Sequence, residues 1–311
     1  TTFGSVGLVT TSFEDGGGIV SAVDIQSDGK IVAAGHAWGG SSDDFALARY
    51  NSDGTLDASF GSGGKVTTAF ESWGASVSAV VIQGDGKIVA AGYAYIHGHI
   101  DFTLARYSSD GTLDASFGSS GVVTTNFGEE DDYAYAAAIQ DDGKIVAAGR
   151  AWVNDYEHFA LARYDSNGAL DASFGNGGQV TTAIGRKTNA AYAVAVQSDG
   201  KIVAAGYAEI GHYDYPVFAL ARYNSDSTLD GSFGSGGRVT TDWEGWTNGA
   251  RAVALQDDGK IVAAGHAGLR NNTDFALARY NSDGTLDTSF ADGGQVTTDF
   301  GGKNDQAYAT A

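Results

Sequence analysis

Oxygen-bearing side chains recur at fixed spacing in this chain, and their pattern is one that could bind calcium. The first copy reads Asn51-x-Asp53-Gly54-x-x-Asp57, with oxygen ligands at alternate positions around a glycine, as Ca²⁺ prefers. A later copy has Ser227 where the first has the turn glycine. The last acidic residue is the constant one, at Asp57, Asp114, Asp171, Asp230 and Asp287. A turn that contains a buried acceptor explains this pattern better than calcium, which remains the alternative.

One arginine lies eight residues before each of these constant aspartates and shares a predicted strand face with Phe and Leu. A guanidinium in such a place needs a fixed carboxylate beside it. The predicted structural pairs are Arg49 with Asp57, Arg106 with Asp114, Arg163 with Asp171, Arg222 with Asp230, and Arg279 with Asp287. The alternative is a ring of arginines that binds an anion.

Other candidates for chemistry are isolated. His97-x-His99, with Asp101 close by, could hold a metal through two imidazoles, but the other copies have nothing equivalent, so surface histidines are expected. Glu129 and Glu130 are adjacent along the chain, which indicates a solvated acidic loop rather than an acid/base pair. No Gly-x-Ser-x-Gly elbow, phosphate loop or HExxH sequence is present. The sequence therefore predicts no cofactor, no bound metal and no enzymatic activity.

These residues lie in a tandem repeat. Asp-Gly-Lys-Ile-Val-Ala-Ala-Gly begins at Asp28, Asp85, Asp142, Asp199 and Asp258. Val-Thr-Thr begins at Val9, Val66, Val123, Val180, Val239 and Val296. The period is 57 residues with one step of 59, a length typical of multi-stranded units such as propeller blades.

One unit reads as four strands. Val20 to Ile25 alternates and runs into the tight turn at Asp28-Gly29, and Lys30 to Ala37 follows as a covered strand of small apolar residues. Asp44 to Tyr50 and Val66 to Phe70 alternate again. The sequence predicts an all-β, five-bladed β-propeller of four-stranded antiparallel blades. A β-solenoid is the alternative, although its coils are normally shorter.

We expect a single domain over residues 1–311. The predicted repeats span residues 18–70, 75–127, 132–184, 189–243 and 248–300. The repeated sequences AVxIQxDGKIVAAG, DFALARYNSDGTLDxSFGxGG and VTT resemble the delta-60 repeat family of bacterial secreted and surface proteins. This resemblance covers practically the whole chain and implies a β-propeller outside the cell. It transfers no catalytic residue.

Composition excludes several classes of binding partner. The 38 acidic and 18 basic residues give a net charge of -20, which repels nucleic acids and anionic lipids. No run of about 18 apolar residues exists, so no membrane insertion is expected. The chain has no Cys and no Met and begins without a leader, which is typical of a mature secreted product. An extracellular or cell-surface location is the expectation.

The connections at one end of the predicted blades vary, whereas those at the other end are nearly constant. Exposed aromatic residues in variable loops are typical anchors of interfaces. The candidates are Trp38, Trp73, Trp152, Trp243, Trp246, Tyr95 and Tyr213. They predict either a lectin-like site for carbohydrate or a contact between subunits, and the alternative is that these loops have drifted without a function.

The sixth Val-Thr-Thr is surplus, because five blades need five outer strands. Residues 1–13 copy the end of a unit, and residues 305–311, within the C-terminal segment 301–311, begin another first strand. An unpaired strand is a template for another chain. We therefore expect a secreted structural protein that assembles into a filament of copies of itself by donating the N-terminal strand. The donated residues would be Phe3, Val6, Leu8, Val9 and Phe13. The rivals are that both terminal copies pack within one chain, or that the chain is part of a longer array.

Overall fold

The computed structural model describes residues 3–13, 16–70, 74–211, 214–243, 247–269, 272–302 and 304–310. All regular elements in these ranges are β-strands. No helix in the described residues is long and apolar enough to cross a membrane.

Twenty strands form five sheets of four, and strands that are consecutive in sequence are neighbours in each sheet. The first sheet contains β1 (Gly18–Ile25), β2 (Ile31–Trp38), β3 (Asp43–Tyr50) and β4 (Lys65–Thr68). The second contains β5 (Ala75–Ile82), β6 (Ile88–Ile96), β7 (His99–Tyr107) and β8 (Val122–Thr125). The third contains β9 (Tyr133–Ile139), β10 (Ile145–Val153), β11 (Tyr156–Tyr164) and β12 (Gln179–Thr182). The fourth contains β13 (Asn189–Val196), β14 (Ile202–Ile210), β15 (Tyr215–Tyr223) and β16 (Arg238–Thr241). The fifth contains β17 (Gly249–Leu255), β18 (Ile261–Leu269), β19 (Asn272–Tyr280) and β20 (Gln295–Thr298).

The predicted all-β architecture of five four-stranded antiparallel blades is thus confirmed. The strand boundaries of the first unit differ from the prediction by one or two residues, and β4 ends at Thr68 and not at Phe70. The chain leaves the sheet there, and the ring of Phe70 packs edge-on against Phe45 at 4.8 Å between centroids. Packing of the aromatic ring thus replaces continued strand pairing.

The turn between β1 and β2 shows why the Asp-Gly-Lys sequence recurs. Gly29 has a φ of 82°, a left-handed conformation that glycine adopts without strain. The Asp28 carboxylate accepts hydrogen bonds from the backbone N–H of Lys30 at 3.1 Å and from its ammonium at 2.7 Å. The turn closes where the backbone N–H of Gln26 donates to the carbonyl of Lys30 at 2.8 Å.

The chain divides into two compact units, one of Thr1–Ile145 with Tyr164–Ala169 and the other of Val146–Arg163 with Leu170–Ala311. Within the first unit, the first sheet presents Phe45, Leu47 and Phe60, which we call its Phe/Leu face. The second sheet presents Ala90, Ala105 and Tyr107, which we call its Ala/Tyr face. Large side chains of one sheet fill the space that small side chains leave on the next, and all six residues are buried.

The second unit repeats this packing. Phe159, Leu161 and Phe174 of the third sheet contact Ala204, Ala221 and Tyr223 of the fourth. A buried hydrogen bond accompanies each such contact, because the tyrosine hydroxyl meets a threonine of the preceding outer strand. The pairs are Tyr107 with Thr68 at 2.7 Å, Tyr164 with Thr125 at 2.7 Å, Tyr223 with Thr182 at 2.9 Å, and Tyr280 with Thr241 at 2.8 Å.

The structure joins each of the five arginines to the aspartate eight residues later. Arg49 Nε donates to Asp57 Oδ2 at 2.8 Å, and its guanidinium lies 4.6 Å from the centroid of the Phe60 ring. Equivalent Nε to Oδ2 bonds of 2.8–2.9 Å occur at Arg106, Arg163, Arg222 and Arg279. These buried contacts assign the arginines to packing rather than to a ring for anions.

Four of these arginines also connect neighbouring repeats. Nη1 of each donates to a backbone carbonyl in the turn of the following repeat. The acceptors are the carbonyls of Ser109, Ser166, Ser225 and Ser282. Arg279 has no following turn among the described residues, and its side chain is 21% exposed against 4–6% for the other four.

The constant aspartates are stabilised as anions. The hydroxyl of Ser59, followed by the guanidinium of Arg49, holds the pKa of Asp57 below its usual range even though burial opposes this shift. Ser116 and Arg106 act in the same way on the pKa of Asp114. The turn thus supplies a fixed negative charge to each arginine.

We expect Arg106→Met to lower the free energy of unfolding by about 3 kcal/mol, because it removes a buried guanidinium that bonds to the partly buried Asp114 and to the Ser166 carbonyl of the next repeat. Arg279→Met should cost clearly less, because its guanidinium is more exposed and connects to no following turn among the described residues. Urea unfolding followed by circular dichroism measures both. Equal losses for the two variants would contradict the role of the link between repeats.

Candidate functional site

The variable loops place two of the predicted aromatic anchors at the surface. Trp38 and Trp152 lie at equivalent positions near the ends of β2 and β10 and are 45% and 41% exposed. Tyr95 occupies the equivalent position in β6 and is half-buried. Trp243 is not an exposed anchor, because it packs against Phe218 at 4.2 Å between ring centroids. The other three candidates, Trp73, Trp246 and Tyr213, lie outside the described residues.

Asp101, the carboxylate considered with His97 and His99, is hydrogen-bonded to Asn126. Its Oδ1 accepts a hydrogen bond of 2.9 Å from the Asn126 amide. Burial raises its pKa even though this hydrogen bond opposes the shift. Asp101 therefore connects β7 to the residue that follows β8.

The fifth sheet contains a more acidic version of this arrangement. Asp274 is equivalent to Asp101, and Asp299 stands where the second sheet has Asn126. Asp274, Asp299 and Asp305 each place a carboxylate oxygen within 4.8 Å of the others. Three carboxylates at this separation could ligate a divalent cation, which takes oxygen ligands. Without a cation they repel one another.

A polar cluster in the second compact unit escaped the sequence analysis. It contains Tyr192, Tyr207, Arg251 and His266. The guanidinium of Arg251 lies 4.0 Å from the centroid of the Tyr192 ring, and the Tyr192 and Tyr207 rings stack at 5.7 Å. The signal was present in the sequence, because the residue after each Ala-Ala-Gly varies among His, Tyr and Arg while its neighbours stay constant.

His266 is the titratable centre of this polar cluster. It is 5% exposed, and burial, followed by the charge of Arg251, lowers its pKa to about 4. Its Nδ1 is buried without a hydrogen-bond partner in the described part of the chain. The equivalent His36 instead lies 3.0 Å from the hydroxyl of Ser76. A neutral imidazole beside a guanidinium can accept or orient a proton-bearing group.

The N-terminal segment, residues 3–13, lies against the first sheet in the position that an outer strand of a preceding blade would take. The backbone N–H of Gly4 donates to the Asp53 carbonyl at 2.7 Å, as that of Gly61 does to Asp110 at 2.7 Å. Tyr50 donates to the Thr11 hydroxyl at 2.7 Å, which matches the pairing of Tyr107 with Thr68. The segment nevertheless forms no regular β-strand. The side chains of Val6 and Leu8 are 89% and 72% exposed.

The first sheet leaves open the face that the second sheet buries. Val20 and Val23 of β1 are 66% and 62% exposed, whereas the equivalent Val77 and Val80 of β5 are 0% and 6% exposed. Tyr50 is half-buried, although its four counterparts are fully buried. This sheet therefore presents an uncovered Ala/Tyr face.

The fifth sheet leaves the complementary face partly open. Phe275, Leu277 and Phe290 are half-buried, whereas their counterparts in the first sheet are 0% exposed. Residues 304–310 cover part of this Phe/Leu face as the first strand of another blade would. The N–H of Ala307 donates to the Gly265 carbonyl at 3.1 Å, and Ala307 itself is buried.

Asp299→Asn should raise the free energy of unfolding by about 1 kcal/mol in buffer with a chelator, because it removes a like charge and supplies an amide donor for Asp274. The matched control is Asn126→Asp, which removes the donor to Asp101 and should destabilise by a similar amount. Thermal unfolding measures both. Destabilisation by Asp299→Asn would show that repulsion is not the dominant effect there.

The stability contributed by His266 should depend on pH. Its folded pKa of about 4 lies below the unfolded value of about 6.5, so its contribution is complete above pH 6.5 and falls between about pH 6.5 and 4. His266→Phe should reduce this decline in a urea unfolding series across that pH range. An unchanged slope would contradict the buried neutral imidazole.

The chain resembles known proteins in fold. No curated protein matches the chain in sequence. Among solved structures, a catalytically inactive variant of virginiamycin B lyase from Staphylococcus aureus covers 89% of this chain and 71% of its own, with a TM-score of 0.51 and 10% identity. A PL25 ulvan lyase covers 89% and 68%, with a TM-score of 0.51 and 12% identity. A protein from Lactobacillus plantarum covers 86% and 69%, with a TM-score of 0.50 and 14% identity.

These similarities show the fold alone, and they correct one expectation. The prediction that the chain is not an enzyme was based on missing motifs. It is wrong, because two of these propellers are lyases and the fold therefore does not exclude catalysis. One fold hosts many functions, so the absence of these two sequence motifs does not exclude catalysis. Enzymatic activity is compatible with this fold.

The family profile described as "Domain of unknown function (DUF5122) beta-propeller" matches the chain once in every repeat. The matched residues are 26–60, 83–117, 140–174, 197–233 and 256–290, which are more than half of the chain. Each match runs from the end of the first strand through the turn that carries the constant aspartate. The chain therefore belongs to the DUF5122 β-propeller family.

Proposed function

We propose that this protein is a self-assembling subunit that joins head to tail with copies of itself to form an extracellular filament. The observation that carries the proposal is the open face at each terminal sheet. The first sheet exposes an Ala/Tyr face, and the fifth sheet exposes part of a Phe/Leu face.

The two open faces have the chemistry of an interface that the chain already contains. In the first unit, a Phe/Leu face packs on an Ala/Tyr face, and the six residues that define these faces are buried. Burying apolar area contributes about 25 cal/mol per Å², so the exposed Val20 and Val23 favour association. The fifth sheet of one copy thus supplies the large side chains that fit the first sheet of the next.

The N-terminal segment contributes by strand donation. Among the outer strands of the five sheets, β20 is held most weakly, because its Thr298 is exposed while the four equivalent threonines are buried against a tyrosine. Leu8 to Thr11 has the Val-Thr-Thr sequence needed to replace it beside β19 of another copy. In the register that β20 now holds, Thr10 would pair with Ala276.

This contact is heterologous, since it joins two different surfaces. Such contacts do not close on themselves and therefore propagate into fibres. The resemblance to the delta-60 repeat family supports the proposed location outside the cell, because that family comprises secreted and surface proteins.

The absence of cysteine allows a direct test of strand donation. In the double variant Thr10→Cys/Ala276→Cys, oxidation should cross-link copies of the chain. Dimers and larger oligomers should then form a ladder of bands on a non-reducing gel. Residues directly opposite in an antiparallel pair have Cα atoms about 4.5–5.5 Å apart, within the range that a disulfide spans. Ladders should appear at concentrations where light scattering shows assembly.

The matched control is Ala276→Cys/Thr297→Cys, which should cross-link within one chain, because these residues are paired in the fifth sheet. If the control oxidises and the Thr10 variant stays monomeric, strand donation is wrong. Deletion of residues 1–13 should abolish assembly and keep the β circular dichroism. Unfolding of the isolated monomer would instead show that the segment serves its own chain.

A second candidate is carbohydrate binding at the variable loops, which the exposed rings of Trp38 and Trp152 favour. A sugar ring stacks on such an aromatic ring while nearby Asp and Asn side chains accept hydrogen bonds from its hydroxyl groups. Glycan arrays with the wild type and with Trp152→Ala test it. If the wild type binds no glycan on the array, carbohydrate binding is wrong.

A further inference from the structure

A groove lies between the N-terminal segment and the first sheet. It has a volume of about 250 Å³, and its lining includes Val9, Thr11, Val20, Ala33, Ala48 and Tyr50. The groove continues the interface that residues 3–13 already make with the sheet through Gly4 and Tyr50. Its walls are therefore held in place without an occupant.

The second sheet shows what such a groove accepts. Its equivalent alanines and tyrosine, Ala90, Ala105 and Tyr107, contact Phe45 and Leu47 of the preceding sheet. Both of these side chains project from one strand, β3, at alternate positions. The repeat thus defines the ligand class as an extended Phe-x-Leu segment.

Backbone groups at the groove's edge support the same ligand. In the first sheet, β4 pairs with β3 from Phe45 opposite Thr68 to Ala48 opposite Lys65. Residues 8–11 are the copy of this β4 segment, and the backbone N–H groups of Val9, Thr10 and Thr11 donate to no acceptor within the described residues. An incoming strand gains main-chain hydrogen bonds there in addition to apolar contacts.

We infer that this groove is a binding site for the third strand of another copy's repeat, with the sequence Asp-Phe-Ala-Leu-Ala-Arg-Tyr. The phenylalanine and leucine lie on Ala33 and Ala48, and the strand pairs with residues 8–11. Its arginine reaches Phe3, which stands where Phe60 stacks on Arg49. This inference rests on the proposed assembly, since it names the segment that the assembly seats in the first sheet.

The test is binding of a fluorescein-labelled peptide with the sequence of Asn272–Tyr280 to the full chain, at a concentration where light scattering shows monomers. Fluorescence anisotropy should show saturable binding. A peptide with Phe275→Ser and Leu277→Ser should bind at least about tenfold more weakly, because it loses both large apolar side chains.

Variants of the protein locate the site. Val20→Glu should weaken peptide binding by about tenfold or more, and it should leave folding intact because Val20 is exposed. Trp152→Glu, which places the same charge at an exposed position on another sheet, is the control and should bind the peptide as the wild type does. Deletion of residues 1–13 should abolish binding, because it removes the strand edge.

Failure of this inference is separable from failure of the assembly. Peptide binding without cross-linked ladders would support the groove and overturn strand donation between copies. Ladders without peptide binding would overturn the groove as the site of the third strand. Equal binding of the wild type and Val20→Glu would also overturn it.

Discussion

The contact on which the rest of the structure depends is the packing of a Phe/Leu face onto an Ala/Tyr face. A single four-stranded sheet cannot bury its own apolar side chains, so each sheet needs a neighbour of matching shape. In the first unit, Phe45 and Leu47 occupy the space above Ala90 and Ala105. The small residues of Ile-Val-Ala-Ala-Gly are therefore required by the large residues of Phe-Ala-Leu-Ala-Arg-Tyr on the preceding sheet.

The polar links reinforce the same geometry. The guanidinium of Arg49 is held by Asp57 in its own sheet and donates to Ser109 in the next repeat, so it orients one repeat relative to the other. Arg279 donates to no following turn among the described residues, and its side chain is more exposed than those of the other four arginines. Loss of the polar link and loss of apolar cover coincide there. The terminal sheets are therefore the surfaces on which the proposed assembly rests.

The sequence predicted much of the fold, because its signals are local. Alternation along β3, the Asp28-Gly29 turn and the eight-residue spacing from Arg49 to Asp57 each depend on residues close in the chain. The candidate sites were harder to predict. Trp243 is of the residue type that anchors interfaces and lies in a variable loop. In the structure it packs on Phe218, which is 25 residues away in sequence. The arrangement of Tyr192, Arg251 and His266 depends on strands from two repeats, and the variable residue after Ala-Ala-Gly marks only His266 among these three.

The sequence by itself determined the repeat, the four strands of each unit, the turns and the surplus Val-Thr-Thr, because periodic side chains and glycine turns act over a few residues. Only the tertiary structure decided where that surplus segment lies and which faces remain open. Both are settled by contacts between elements far apart in the chain, such as Gly4 with Asp53 and Thr11 with Tyr50. Five repeats of nearly equal sequence thus differ in exposure, because burial depends on the neighbour that each sheet has and not on its own residues.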